Sequence, residues 1–204
     1  MRIGVDLDNT IVCYDELFYS AAVERDLIAP DHAKSKESIR DSLRRAGRET
    51  EWTELQGEVY GTRMQDAVPF PGVADFFWGM RQQGVPVCII SHRTQYPFLG
   101  PRHDLHASAR NWLSTNGFLG ADGPGHDVQD VFFEPTKLEK LQRISECGCT
   151  HFIDDLPELL AEPAFPEGVH RILFAPNGTS SPDDGVVTAD SWAEVLELVN
   201  EYLR

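Results

Sequence analysis

The feature that most limits what this chain can fold into is a series of short apolar runs separated by helical patterns. "IGVDL" (3–7), "VPVCII" (85–90), "VFF" (131–133), "HFID" (151–154) and "HRILF" (170–174) each have the length and β-branched content of a buried strand. Strands that are apolar on both faces and joined through helices pair in parallel. The pattern therefore predicts an α/β fold built on a Rossmann-like, doubly wound parallel sheet. Three helix starts are marked by capping-box spacing, at Thr136–Glu139, Asp155–Glu158 and Ser191–Glu194. "PGVADFFWGMRQQG" (71–84) reads as a helix with Pro at its start and Gly at its stop.

One segment departs from this rhythm. Between Tyr14 and Met64 there is no strand signal, and three helical patterns run over roughly 14–25, 32–46 and 50–64. Ile39 and Leu43 share a face in the second, and Leu55 and Val59 in the third. The expected organisation is a core domain from 1–13 and 71–204, with a small helical insertion over 14–70. Gly/Pro-rich stretches at 120–126 and 176–185 read as surface loops.

Composition narrows the partners. The 204 residues are 41% hydrophobic and 25% charged, with a net charge of -15. That acidic excess argues against a nucleic acid polymer or a polybasic membrane contact. No apolar run approaches a membrane span, and "MRIGVDLD" lacks a signal-peptide pattern, so a cytoplasmic protein is expected. Cys13, Cys88, Cys147 and Cys149 read as reduced thiols. Cys88 sits in an apolar run as a small hydrophobe, and Cys147 and Cys149 have the wrong spacing for a zinc knuckle.

In open parallel sheets, sites form beyond the carboxyl ends of the strands. There the chain sets Asp6 and Asp8 after the first run, Ser91, His92 and Arg93 after the second, and Asp154 and Asp155 after the fourth. Lys137 opens the helix after the third. Each has an ordinary reading alone. Asp8-Asn9-Thr10 can make a turn, Ser91 and Asp155 can cap helices, and Lys137 can be solvated. Together they fit a cation site better, because clustered acids repel one another without one.

These segments resemble the four motifs of the haloacid dehalogenase superfamily: "DLDNT" after a strand, "IISHRT" ending the next, the helix-opening Lys137, and "FIDDLPE". The resemblance covers nearly the whole chain, with the motifs in order. It implies Asp6 as the nucleophile that forms an aspartyl-phosphate and Asp8 as the general acid and base. It implies Mg²⁺ held by the Asp6 side chain, the Asp8 carbonyl and a fourth-motif acid. By the family's pattern Asp155 binds directly and Asp154 sits outside it. Ser91, Lys137 and the backbone N–H groups after Asp6, at Leu7, Asn9 and Thr10, would hold the phosphoryl oxygens together with His92. The 14–70 insertion matches the family's cap position.

Asp8 also bears on the reaction class. The superfamily's dehalogenases lack an acid at this place, and a departing alkoxide needs a proton that a halide does not, which favours a phosphatase over a dehalogenase. A phosphomutase is disfavoured because nothing in the sequence suggests a second phosphate clamp. A cap favours a small phosphorylated metabolite of the nucleotide or sugar phosphate class. Arg93 and Arg102 either reach a second anionic group of the substrate or offset the acidic surface. Trp52 and Tyr60 either stack on the substrate or pack the insertion's own core. The contrasting reading is a phosphate-metabolite binding protein without catalysis, which would be expected to have lost at least one of these groups. The oligomeric state is not legible.

Overall fold

The computed structural model describes residues 1–120, 130–178 and 185–203. Most of the two expected Gly/Pro-rich loops, at 121–126 and 179–184, lies outside the described residues.

In chain order the strands are β1 Ile3–Val5, β2 Val12–Cys13, β3 Val68–Pro69, β4 Val87–His92, β5 Val131–Glu134, β6 His151–Asp154, β7 His170–Phe174 and β8 Val186–Ala189. The helices are α1 Asp15–Glu24, α2 Lys36–Arg45, α3 Glu49–Tyr60, α4 Val73–Gln82, α5 Leu105–Thr115, α6 Lys137–Glu146, α7 Pro157–Leu160 and α8 Trp192–Glu201. The chain divides into two compact units. The first comprises 1–12, 69–93 and 113–204, and the second 13–68 and 94–112. The stretch 94–112 thus clusters with the helical insertion, although its sequence follows the second strand of the core.

The first unit is built on a six-stranded sheet in the order β5-β4-β1-β6-β7-β8, with every neighbouring pair parallel. This is the α/β, doubly wound architecture that the apolar runs predict. β8 is the strand those runs do not reveal, since "VVTA" is short and follows a loop-like stretch. β4 begins after Pro86, which has no N–H for the ladder, and continues through Ser91 to His92.

Alternation sorts the side chains of the sheet to its two faces. On one, Cys88, Ile90, Phe152 and Leu173 pack with Leu141 and Ile144 of α6 and Leu159 and Leu160 of α7. On the other, Phe174 lies 5.4 Å from Trp192 of α8, whose ring is 4.9 Å from Phe76 of α4. The Trp192 indole N–H donates to the Thr10 carbonyl at 3.0 Å, which anchors the loop after β1.

Two of the expected capping boxes form. Thr136 accepts from Glu139 N–H at 3.2 Å and opens α6, and Ser191 does the same for α8. The third does not. Leu156, not Asp155, is the N-cap of α7, and the Leu156 N–H is taken at 2.9 Å by the Asp154 carboxylate. In α4 the expected proline start is also displaced. Gly72, at a φ of 85°, is the N-cap, and Pro71 stands ahead of it.

The second unit holds α1, α2 and α3, close to the three helical patterns. Ile39, Leu43, Leu55 and Val59 are buried, as the shared faces predict. Trp52 is 1% exposed and stacks on Phe18 at 5.1 Å, while Tyr60 meets Tyr14 and Phe18 edge-on. Both aromatics thus pack this unit's own core. Gly57 of α3 faces the 94–112 segment, where a β-carbon would lie 2.9 Å from that of Pro97. Only glycine permits that approach without displacement.

Candidate active site

The site gathers where β1, β4 and β6 end. Asp6 N–H still donates to Ile153 O at 2.9 Å, so the ladder fixes the backbone of Asp6 before the chain turns away. The turn is tight. Ile11 and Val12 N–H both donate to Leu7 O, Asn9 N–H donates to Val12 O at 2.9 Å, and Asn9 takes a left-handed φ of 59°. Asparagine tolerates that conformation better than most residues.

The cation at the acids is Lys140. Its Nζ lies 2.6 Å from Asp6 Oδ1 and 2.6 Å from Asp154 Oδ2. Lys137, expected from its place at the helix start, is instead half-exposed and lies 3.7 Å from Glu158. The correction has a simple helical cause. α6 turns Lys140, Leu141 and Ile144 inward, toward the sheet face that carries Phe152 and Asp154, and Lys137 is a turn too early. Helical spacing does not separate the two lysines, since Lys137, Lys140, Leu141 and Ile144 share one stripe of α6; what separates them is the turn at which that stripe meets Asp6 and Asp154.

Asp8 is held by a second cation. Arg93 Nη2 lies 3.0 Å from Asp8 Oδ1 and Nε lies 3.3 Å from Oδ2, while Ser91 Oγ reaches Oδ2 at 3.5 Å. The Arg93 side chain is 3% exposed, so it is buried against Asp8 and does not offset surface charge. Ser91 is therefore beside Asp8.

Carboxylate oxygens of Asp6, Asp154 and Asp155 lie within 4.8 Å of one another, the one such group of potential metal ligands among the described residues. Hard carboxylate oxygens at that spacing suit Mg²⁺. The charge count agrees. Asp6, Asp8, Asp154 and Asp155 face Lys140 and Arg93, which leaves an excess of two negative charges. Burial raises the Asp6 pKa to about 7; Lys140 opposes the rise, while Asp154 and Asp8 add to it. Burial works against the Lys140 charge, but Asp154 and Asp6 outweigh it and raise its pKa.

The remaining expected residues are spread. The Asn9 N–H is committed to Val12 O and is not available to a ligand, a correction to its expected role, whereas those of Leu7 and Thr10 donate to nothing among the described residues. Thr10 Oγ1 is also buried without a partner among them. The His92 ring is turned to the Pro135 carbonyl, with Nε2 donating at 3.1 Å, and burial lowers its pKa. Arg102 belongs to the second unit, where its guanidinium stacks 4.0 Å over Tyr96.

No family model and no curated protein matches the chain. Solved structures do. A putative HAD-hydrolase, YfnB from Bacillus subtilis, bound to magnesium, is 13% identical at a TM-score of 0.60, with 98% of each chain covered. A HAD-superfamily hydrolase from Ehrlichia chaffeensis is 9% identical at 0.58, covering 100% of this chain and 97% of that one. The L-2-haloacid dehalogenase RSc1362 is 12% identical at 0.58, with 98% of each covered. These identities speak to architecture alone: with its six-stranded parallel sheet, the chain has the haloacid dehalogenase fold.

Proposed function

We propose that this hydrolase-fold protein is a Mg²⁺-dependent phosphatase of small phosphorylated metabolites, in the nucleotide or sugar phosphate class. The observation that carries the reading is Asp8. An ionisable group two residues beyond Asp6, with Ser91 beside it, supplies what phosphate ester hydrolysis needs and halide release does not.

Asp6 attacks phosphorus through a carboxylate oxygen, and an aspartyl-phosphate forms as the ester P–O bond breaks. Asp8 gives a proton to the departing alkoxide and then takes one from the water that hydrolyses the intermediate. Lys140, already shared between Asp6 and Asp154, offsets negative charge at the nucleophile, and the Ser91 hydroxyl and Leu7 and Thr10 N–H groups are donors for phosphoryl oxygens. Arg93 orients Asp8. Mg²⁺ would be held by Asp6, the Asp8 carbonyl and Asp155, and would supply the charge neutralisation that two anions need to meet. Asp154 already accepts from Lys140 and from Leu156 N–H, which supports placing it outside the metal shell. The helical unit, inserted in the chain where the family's cap stands, would select the leaving group. A cytoplasmic setting goes with this reading.

A dehalogenase is the second reading, and the likeness to RSc1362 favours it. One experiment separates them: phosphate release from an aryl phosphate and a metabolite panel, and halide release from a 2-haloacid, each with Mg²⁺ and with chelator. Mg²⁺-dependent phosphate release that disappears in Asp6→Asn supports the phosphatase. Halide release without phosphate release overturns it. Neither activity, together with tight binding of phosphorylated metabolites, points to a binding protein.

A further inference from the structure

The sequence scatters Cys88, Cys147 and Cys149, but the fold brings them together at the amino ends of the strands. Cys88 Sγ and Cys149 Sγ lie 3.7 Å apart and are buried. Gly4 makes that meeting possible. It pairs with Cys88 in the ladder between β1 and β4, and a β-carbon on it would lie 2.9 Å from Cys149 Sγ and 2.6 Å from the Phe152 ring. The missing side chain opens a path over β1, so that a sulfur from β4 reaches a sulfur from the loop before β6. A Gly in a buried strand otherwise weakens it.

We propose that Cys88 and Cys149 are a reversible disulfide-forming pair that closes when a hydroperoxide oxidises the protein. A disulfide needs its sulfurs at about 2 Å, a small approach from the observed contact. Of the two thiols, Cys88 is the one whose proton is held less tightly, although its S–H faces the Ile3 carbonyl at 3.7 Å. Its thiol is pulled down to about 7 by the hydrogen bond with Cys149, against burial, and further by the Arg2 guanidinium and by Cys147. The buried Arg2 Nε makes no hydrogen bond among the described residues. The Cys149 thiol is pushed up by the same bond to Cys88 and by burial, so it is the protonated partner.

In the reaction, the Cys88 thiolate attacks the peroxide. An S–O bond forms, the O–O bond breaks, and the alkoxide leaves as an alcohol by taking up the proton that the Cys88 thiol gave up. Cys149 sulfur then attacks Cys88 sulfur. The S–S bond forms, the S–O bond breaks, water leaves with the Cys149 proton, and two thiols have been oxidised for one peroxide reduced. A metal is not the natural occupant, because the three thiols do not form a group close enough to share an ion among the described residues. The bond would staple β4 to the start of β6 across β1, the strand that leads to Asp6.

The test treats the reduced full chain with hydrogen peroxide under native conditions, quenches with an alkylating reagent in denaturant, and maps peptides without reduction. The expected result is a mass lower by two hydrogen atoms, two of the four thiols protected, and one linked peptide pair joining Cys88 to Cys149, reversed by dithiothreitol. Cys13→Ser and Cys147→Ser should keep the link, and Cys149→Ser should lose it. If Cys149→Ser fails to fold, the wild-type map decides alone. Four alkylatable thiols after treatment, over-oxidised thiols without a link, or a Cys88–Cys147 link in its place overturns the proposal.

Discussion

Lys140 donates to Asp6 across 2.6 Å, and the same nitrogen holds Asp154 at 2.6 Å, with side-chain exposures of 1%, 6% and 0%. One ammonium thus separates two buried carboxylates. Removing it from such a site leaves uncompensated buried charge, a loss of about 3–5 kcal/mol where nothing replaces it. Lys140→Met should therefore lower both stability and turnover, the latter by about 10²-fold or more. Lys137→Ala, at a half-exposed position beside Glu158, should stay within about twofold of wild type, because exposed pairs contribute less than about 1 kcal/mol. Steady-state kinetics and thermal melts of the two variants decide between the lysines.

Arg93 and Asp8 form the second pair, and its two-pronged geometry separates a fork from a point charge. Arg93→Lys keeps the charge but loses one of the two hydrogen bonds. Turnover should fall by roughly tenfold while the melting temperature stays near wild type, and Arg93→Ala should lose both. Should Arg93→Lys raise KM alone and leave kcat intact, Arg93 contacts substrate and does not orient Asp8.

What the sequence reveals and what it hides divide along physical lines. The strands at 3–5 and 87–92 are legible because burial on both faces demands nearly unbroken apolar runs. Asp6, Asp8, Asp154 and Asp155 are legible because acids seldom end such runs without cause. Lys140 is hidden because its carbons and its charge read alike as an ordinary lysine, and because Lys137 shares the same stripe with Leu141 and Ile144, so register alone does not single it out. α7 starts one residue later than the Asp155 spacing implies, with Leu156 as its N-cap, and Asp154 takes the Leu156 N–H. The 94–112 segment joins the second unit through contacts such as Gly57 with Pro97, which no local pattern encodes.

His151 makes the fold sensitive to acid. Its ring stacks on His170 at 4.8 Å, and its Nε2 is buried without a hydrogen-bond partner among the described residues. Burial first, then His170, lowers its pKa from 6.5 to about 4. A base whose pKa drops on folding binds fewer protons folded than unfolded. Its contribution is fully present above the unfolded value and is lost as pH falls from 6.5 toward about 4. The loss is on the order of 2–3 kcal/mol. His151→Phe keeps a ring in the stack and removes the proton site, so its melting temperature should fall less between neutral pH and about pH 4.5 than wild type does. Equal falls would show that His151 does not titrate in this window.

Mg²⁺ should stabilise the protein, and the acids should not matter equally. The site carries two more carboxylates than cations, so a divalent ion relieves repulsion in the folded state that the unfolded chain does not suffer. At about 100 times its dissociation constant a bound ion adds about 2.7 kcal/mol, which in a chain of this size is a melting shift of roughly 5–10 °C. Chelator should remove the shift. Asp155→Asn should abolish most of it, since a neutral amide is a weaker ligand for a hard cation. Asp154→Asn should retain more of the shift but start from a lower melting temperature, because Asp154 bonds both Lys140 and the Leu156 N–H. The opposite ranking, with the shift lost in Asp154→Asn and kept in Asp155→Asn, would make Asp154 the direct ligand and Asp155 the outer acid.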